Sequence, residues 1–81
     1  MSNVEKVQVL LKDGKLFGDV YSIGSDVVAV EISWGDWKHE HMRLRNLILG
    51  SDLNIVDYDC ETTEENGSDT YSAIHKFSFA A

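Results

Sequence analysis

A two-residue turn signal at Asp13-Gly14 constrains the N-terminal part of this chain more than any other feature. A type I′ turn needs positive φ at both central residues, and Asp-Gly is among the pairs that adopt it readily. The flanking segments alternate between apolar and polar residues, as half-buried strands do. If Asp13 and Gly14 are the two turn residues, one face of the predicted hairpin carries three facing pairs: Leu11 and Leu16, Val9 and Gly18, and Val7 and Val20. Gly18 indicates a sharp bend or a close approach of another backbone.

The rest of the chain also predicts short strands. The segment Val27–Ser33 is rich in β-branched residues, and it follows a turn signal at residues 24–26. A three-residue loop at residues 35–37 would pair it with Lys38–Arg45 and keep one face dry. A second turn signal, Asn66-Gly67, predicts a terminal hairpin between Ile55–Cys60 and Tyr71–Phe79. The expected fold class is therefore all-β, a small and strongly bent five-stranded barrel with an extra C-terminal hairpin or ribbon.

Charge is distributed unevenly along the 81 residues. Residues 1–50 hold seven acidic and six basic residues, a net charge of −1, whereas residues 51–81 hold seven acidic residues and one lysine, a net charge of −6. We expect one domain, with residues 1–50 as the barrel core and residues 51–81 as an acidic extension that completes it. The acidic balance opposes non-specific binding to nucleic acid, which requires neutralisation of phosphates by Lys and Arg.

The single cysteine and the hydropathy pattern indicate a cytoplasmic protein. Cys60 has no second cysteine with which to form an internal disulfide, so a reduced thiol is expected. No apolar run is long enough to span a bilayer, and no membrane partner is expected.

The N-terminal segment resembles the first motif of the Sm-like family of small barrels (Sm, LSm and Hfq). The residues that match this motif in order are Val7, Val9, Leu11, Lys12, Asp13, Gly14, Phe17, Gly18 and Val20. Leu44-Arg45-Asn46 matches the second motif in part, with Asn46 where the family has glycine. The resemblance covers Lys6–Leu49, about half of the chain, and a plain SH3-like barrel is the alternative fold.

The resemblance implies a homo-oligomeric ring that binds RNA weakly at its pore. Carried over to this chain, the pore residues are Ser25, Asp26, Arg43, Arg45 and Asn46. The loop at residues 23–27 is shorter than in the family and lacks its asparagine, which counts against RNA binding more than against the fold. The alternative interpretation of Arg43 and Arg45 is a solvated strand face.

No catalytic or cofactor signature is present, so a non-enzymatic protein without cofactors is expected. His39 and His41 share one face of the predicted strand, but two imidazoles with no signalled further ligand make a poor metal site, and no metal is expected. The second functional hypothesis is an acidic protein-interaction module, an adaptor, inhibitor or assembly component, whose residues 51–81 meet a basic protein surface. The expected partners are thus the chain itself, RNA or a basic protein.

Overall fold

The chain forms an open four-stranded antiparallel sheet with two helices on one face, in a computed structural model that describes residues 2–34, 39–64 and 71–80. In chain order the elements are α1 (Asn3–Asp13), β1 (Asp19–Ser22), β2 (Val27–Trp34), α2 (His39–Leu49), β3 (Ile55–Glu64) and β4 (Tyr71–Phe79). The strand order is β1-β2-β4-β3, so β1 and β3 are the edges. The fold is α+β, and the predicted all-β barrel is wrong because the sheet does not close.

The predicted N-terminal hairpin is wrong because its first strand is the helix α1. Ser2 caps the helix, since its hydroxyl accepts the Glu5 N–H at 3.2 Å while the Glu5 carboxylate accepts the Ser2 N–H. Val7 and Leu11 are buried at helical spacing, but Val9, which a strand would place beside them, is 45% exposed. A spacing of four residues fits the helical period of about 3.6 residues as well as the strand period of two. The alternation at residues 7, 9 and 11 therefore does not distinguish a helix from a strand.

Asp13-Gly14 ends α1 instead of forming a hairpin turn. The Gly14 N–H donates to the Leu10 carbonyl at 3.0 Å, and the left-handed residue is Lys15, at φ 57°. A Cβ on Gly14 would lie 2.7 Å from Leu47 Cδ2, so a larger residue here would displace the Leu47 side chain of α2. The turn signal therefore marks the place where the two helices touch.

The β1–β2 hairpin keeps part of the predicted pattern. The predicted turn at residues 24–26 is confirmed, since β1 and β2 pair in antiparallel fashion around it and the Ile23 N–H donates to the Val27 carbonyl at 3.0 Å. The predicted strand over Val27–Ser33 is confirmed as β2. Gly18 precedes β1, and a Cβ there would lie 3.2 Å from the Glu31 carbonyl oxygen, so the expected close approach of another backbone occurs without a barrel.

The predicted strand Lys38–Arg45 is wrong, because residues 39–45 belong to α2. Lys38 lies outside the described residues. Leu44 and Ile48, one helical turn apart, are fully buried, whereas Met42 is exposed. The apolar residues after Arg45 continue the helix to Leu49. The buried positions of α2 therefore extend past the end of the predicted strand. The three-residue loop expected at residues 35–37 lies outside the described residues.

The terminal hairpin is confirmed, with β3 and β4 antiparallel over nearly their whole length and a bulge between Ile55 and Asp57. Its predicted tip, Asn66-Gly67, lies outside the described residues. Strand β4 also pairs with β2, so the C-terminal segment supplies an interior strand of the sheet.

One apolar core joins the helices to the sheet. Val7 and Leu11 of α1 and Leu44 and Ile48 of α2 pack on a sheet face whose buried members are Val28, Val30, Ile32, Ala73, Phe77 and Phe79. Neither helix, at 11 residues each, is long enough to cross a bilayer, and no other described segment forms a helix that is.

Two valine substitutions test whether Val7–Leu11 is helical. Val7→Ala should cost about 2 kcal/mol of unfolding free energy, because it removes fully buried methyl groups. Val9→Ala, the matched control, should change stability by less than about 0.5 kcal/mol, because Val9 faces solvent. Urea unfolding followed by circular dichroism measures both. Equal, large losses would contradict the helix, since only a hairpin buries both valines.

Candidate binding surface

The structure places the residues predicted to line a pore on two different parts of the fold. Ser25 and Asp26 lie at the β1–β2 turn, and the other three lie on α2. Arg43 donates to the Gly14 carbonyl at 3.2 Å, and Arg45 donates to Asn46 Oδ1 at 3.1 Å. Within the described parts of the chain, no hydrogen bond or ion pair joins these two sets. The open sheet removes the barrel on which the pore was predicted, and RNA binding stays an untested prediction.

The helical conformation of α2 also removes the argument for a histidine metal site. His39 and His41 were expected on one strand face, but residues two apart in a helix do not share a face. Their side chains lie outside the described ones. In residues 2–34, 39–64 and 71–80, no cluster of three or more His, Cys, Asp or Glu side chains has the arrangement of a metal site.

The sheet face opposite the helices is acidic. Because side chains alternate along a strand, the residues between the buried positions share this second face. It carries five exposed carboxylates, and we call it the acidic face: Asp19 of β1, Glu31 of β2, and Asp57, Asp59 and Glu61 of β3. The register aligns Asp19, Glu31, Ile74 and Glu61 in one row, and Tyr21, Ala29, Lys76 and Asp59 in the next.

Lys76 of β4 is the one basic side chain that the register places among these carboxylates in the described sheet. Its ammonium lies 3.0 Å from Glu61 Oε1. This hydrogen bond and the charge of Glu61 raise the pKa of Lys76, and Asp59 and Tyr21 add smaller contributions. One ammonium cannot neutralise five carboxylates, so the acidic face keeps a strong negative potential.

Asp19 and Glu31 are directly opposite each other across β1 and β2. Like charges in this position destabilise a sheet. No ion pair compensates either carboxylate within the part of the chain that the structure describes. This region of the fold thus retains an electrostatic cost that a basic partner would remove.

Strand β3 has side-chain caps on its main chain. Asp57 Oδ1 accepts the Tyr58 N–H at 2.9 Å, and Asp59 Oδ1 accepts the Cys60 N–H at 2.9 Å. The two donors, Tyr58 and Cys60, are two residues apart on the strand, so their N–H groups point in the same direction, away from β4. Such caps satisfy the donors that another strand would use, and they protect the edge from pairing.

A polar pair lies on the helix side of the sheet. His75 is fully buried, and its Nδ1 lies 2.7 Å from the Tyr58 hydroxyl. Burial raises the pKa of Tyr58, and a hydrogen bond with Cys60 raises it further. Cys60 is a free thiol and stands opposite His75 in the register. These residues pack with Phe77, whose ring centroid is 5.1 Å from that of Tyr58, and form part of the core.

The acidic face was missed in the sequence analysis, although a signal for it exists. The carboxylates Asp57, Asp59 and Glu61 occur at every second position, which places them on one strand face. Asp19 and Glu31 carry no such signal, because their approach depends on the pairing of β1 with β2.

Comparison of the chain with protein-family models, curated proteins and solved structures finds no match in any of the three.

Removal of the caps on β3 should make the protein self-associate. The double variant Asp57→Ala/Asp59→Ala frees two edge N–H groups, so we expect concentration-dependent dimers or aggregates. The variant Asp57→Asn/Asp59→Asn is the matched control, because it loses the same charge but keeps a side-chain oxygen that accepts the N–H. Sedimentation velocity measures both variants. If the asparagine variant associates as strongly as the alanine variant, charge and not capping protects the edge.

Proposed function

We propose that this chain is a non-enzymatic protein-interaction module that binds a basic protein partner on the acidic face. The observation that carries the proposal is the direct opposition of Asp19 and Glu31 on an exposed sheet. A partner that places a lysine or arginine between them converts repulsion into two attractive contacts. The local repulsion therefore becomes part of the binding energy.

Apolar side chains next to the carboxylates support the same function. Phe17 is 88% exposed, and Tyr21 and Ile23 are also exposed along the β1 side of the sheet. Aromatic residues supply much of the binding energy at protein interfaces, while charges mainly steer association and set specificity. An acidic surface with exposed aromatic groups suits a basic protein surface that also carries apolar residues.

The proposal modifies the second hypothesis from the sequence. That hypothesis placed the contact in residues 51–81 alone, whereas the acidic face combines β3 with Asp19 and Glu31 from the N-terminal half. Nucleic acid is a poor candidate for this face, because its phosphates would be repelled by the carboxylates. The ring hypothesis is not carried forward, since it rested on the resemblance to a family of small barrels, whereas the fold here is a four-stranded sheet with two helices.

Charge reversal at Glu31 tests the proposal. Glu31→Lys should stabilise the fold by about 0.2–1 kcal/mol, because it places a lysine opposite Asp19. The same variant should lose binding to a basic partner by about tenfold or more, since it reverses a central charge. Greater stability combined with lost binding would be a signature that a merely structural role does not produce.

The control is Asp13→Lys, which makes the same charge change at the exposed end of α1, away from the acidic face. Each purified protein is immobilised, and proteins captured from a cell extract are eluted with rising salt and identified by mass spectrometry. We expect a basic protein that the wild type and Asp13→Lys retain and Glu31→Lys loses. Equal capture by all three baits would contradict binding through the acidic face.

A further inference from the structure

The two edges of the sheet differ in how their main-chain donors are used. On β3, Asp57 and Asp59 cap the N–H groups of Tyr58 and Cys60. Among the described residues, no main-chain N–H of β1 donates a hydrogen bond to a side chain. An uncapped edge strand is a template for another strand. The edge at β1 is therefore the one that is open to pairing.

The register identifies the donors at this edge. The Ile23 N–H donates to the Val27 carbonyl of β2. In an antiparallel pair the direction of the N–H groups alternates, so Val20 and Ser22 direct theirs away from β2. A strand laid along β1 meets these donors and the carbonyls of the same residues.

The helix side of this edge is apolar. Between α1 and β1 lies a depression of about 210 Å³. Its lining residues are Gln8, Leu11, Lys12, Leu16, Phe17, Gly18 and Val20. The alternate side chains of an added strand would point toward this depression, and aliphatic groups of the size of valine suit its apolar lining.

The opposite side of the same edge is acidic. A second, wider depression of about 480 Å³ is lined by Phe17, Gly18, Asp19 and Glu31. The other alternate side chains of an added strand would face these two carboxylates, which favours lysine or arginine. Phe17 borders both depressions, where its exposed ring can contact the incoming strand.

We propose that the basic partner binds by adding a strand to the free edge of β1, with basic residues toward Asp19 and Glu31 and apolar residues toward α1. This inference rests on the proposed function and specifies the form of the partner: an extended segment in which basic and apolar residues alternate. A second copy of this chain fits less well. Pairing of β1 with itself would bring the Asp19 and Glu31 carboxylates of both copies onto the same face.

The test uses two synthetic peptides and the ¹⁵N-labelled full chain. The first peptide alternates lysine and valine, and the second has its two central valines replaced by proline, so that charge is kept but strand pairing is lost. The first peptide should shift the amide resonances of residues 18–23 and slow hydrogen exchange at Val20 and Ser22. The proline peptide should bind at least about tenfold more weakly.

Two variants locate the contact. Phe17→Ala should weaken binding of the alternating peptide by about tenfold, because it removes the exposed ring at the edge. Val56→Ala is the control, since Val56 is a similarly exposed apolar residue on the other edge strand, β3. Its affinity should equal that of the wild type.

The outcomes separate this inference from the proposed function. Equal binding of the two peptides, with shifts on the acidic face that Glu31→Lys abolishes, would overturn strand addition and leave the basic-partner proposal standing. Absence of shifts with the alternating peptide at about 1 mM would also overturn strand addition, and capture by the Glu31→Lys bait would then decide the proposed function independently. A dimer of the chain alone that Phe17→Ala dissociates would make a second copy the occupant and overturn the inference.

Discussion

The fold depends on the packing of two helices on one face of the sheet. Val7 and Leu11 of α1 and Leu44 and Ile48 of α2 form an apolar core with that face. An 11-residue helix is marginal by itself in water, so its stability comes from the cap at Ser2 and from this packing. The contact also fixes which sheet face is dry. Since an open sheet of four strands has two faces and the helices cover only one, the other face is left to solvent.

The division between these faces explains the distribution of charge. The helix-covered face buries even His75, which is hydrogen-bonded to Tyr58. The solvent face tolerates carboxylates on adjacent strands, at an electrostatic cost that the core must offset. The acidic C-terminal residues belong to the same sheet as the N-terminal strands, because β4 lies inside the sheet and β3 forms one margin of the acidic face. The surface chemistry follows from the strand order.

The sequence predicts local features of this fold better than its class. The strand over Val27–Ser33 is predicted correctly because β-branched residues dominate it, and the terminal hairpin because the turn signal Asn66-Gly67 separates its two strands. Residues 7–11 satisfy both periods, and the turn signal at Asp13-Gly14 favours a hairpin. The structure instead has a helix that starts at a capping box of Ser2 and Glu5. The pairing of Asp19 with Glu31 has no local signature, since it depends on register. The resemblance to Sm-like proteins rested on the same ambiguous segment and loses its basis with α1.

The most direct test of the account is the backbone conformation of Asn3–Asp13 in solution, measured by ¹³C NMR of the labelled protein. A helix that covers the sheet predicts downfield-shifted Cα resonances through this segment and a nuclear Overhauser effect between Gly14 and the Leu47 methyl groups. Upfield Cα shifts, with cross-strand contacts between Val7 and Val20, would show a hairpin. They would remove both the covered face and the acidic face that depends on it.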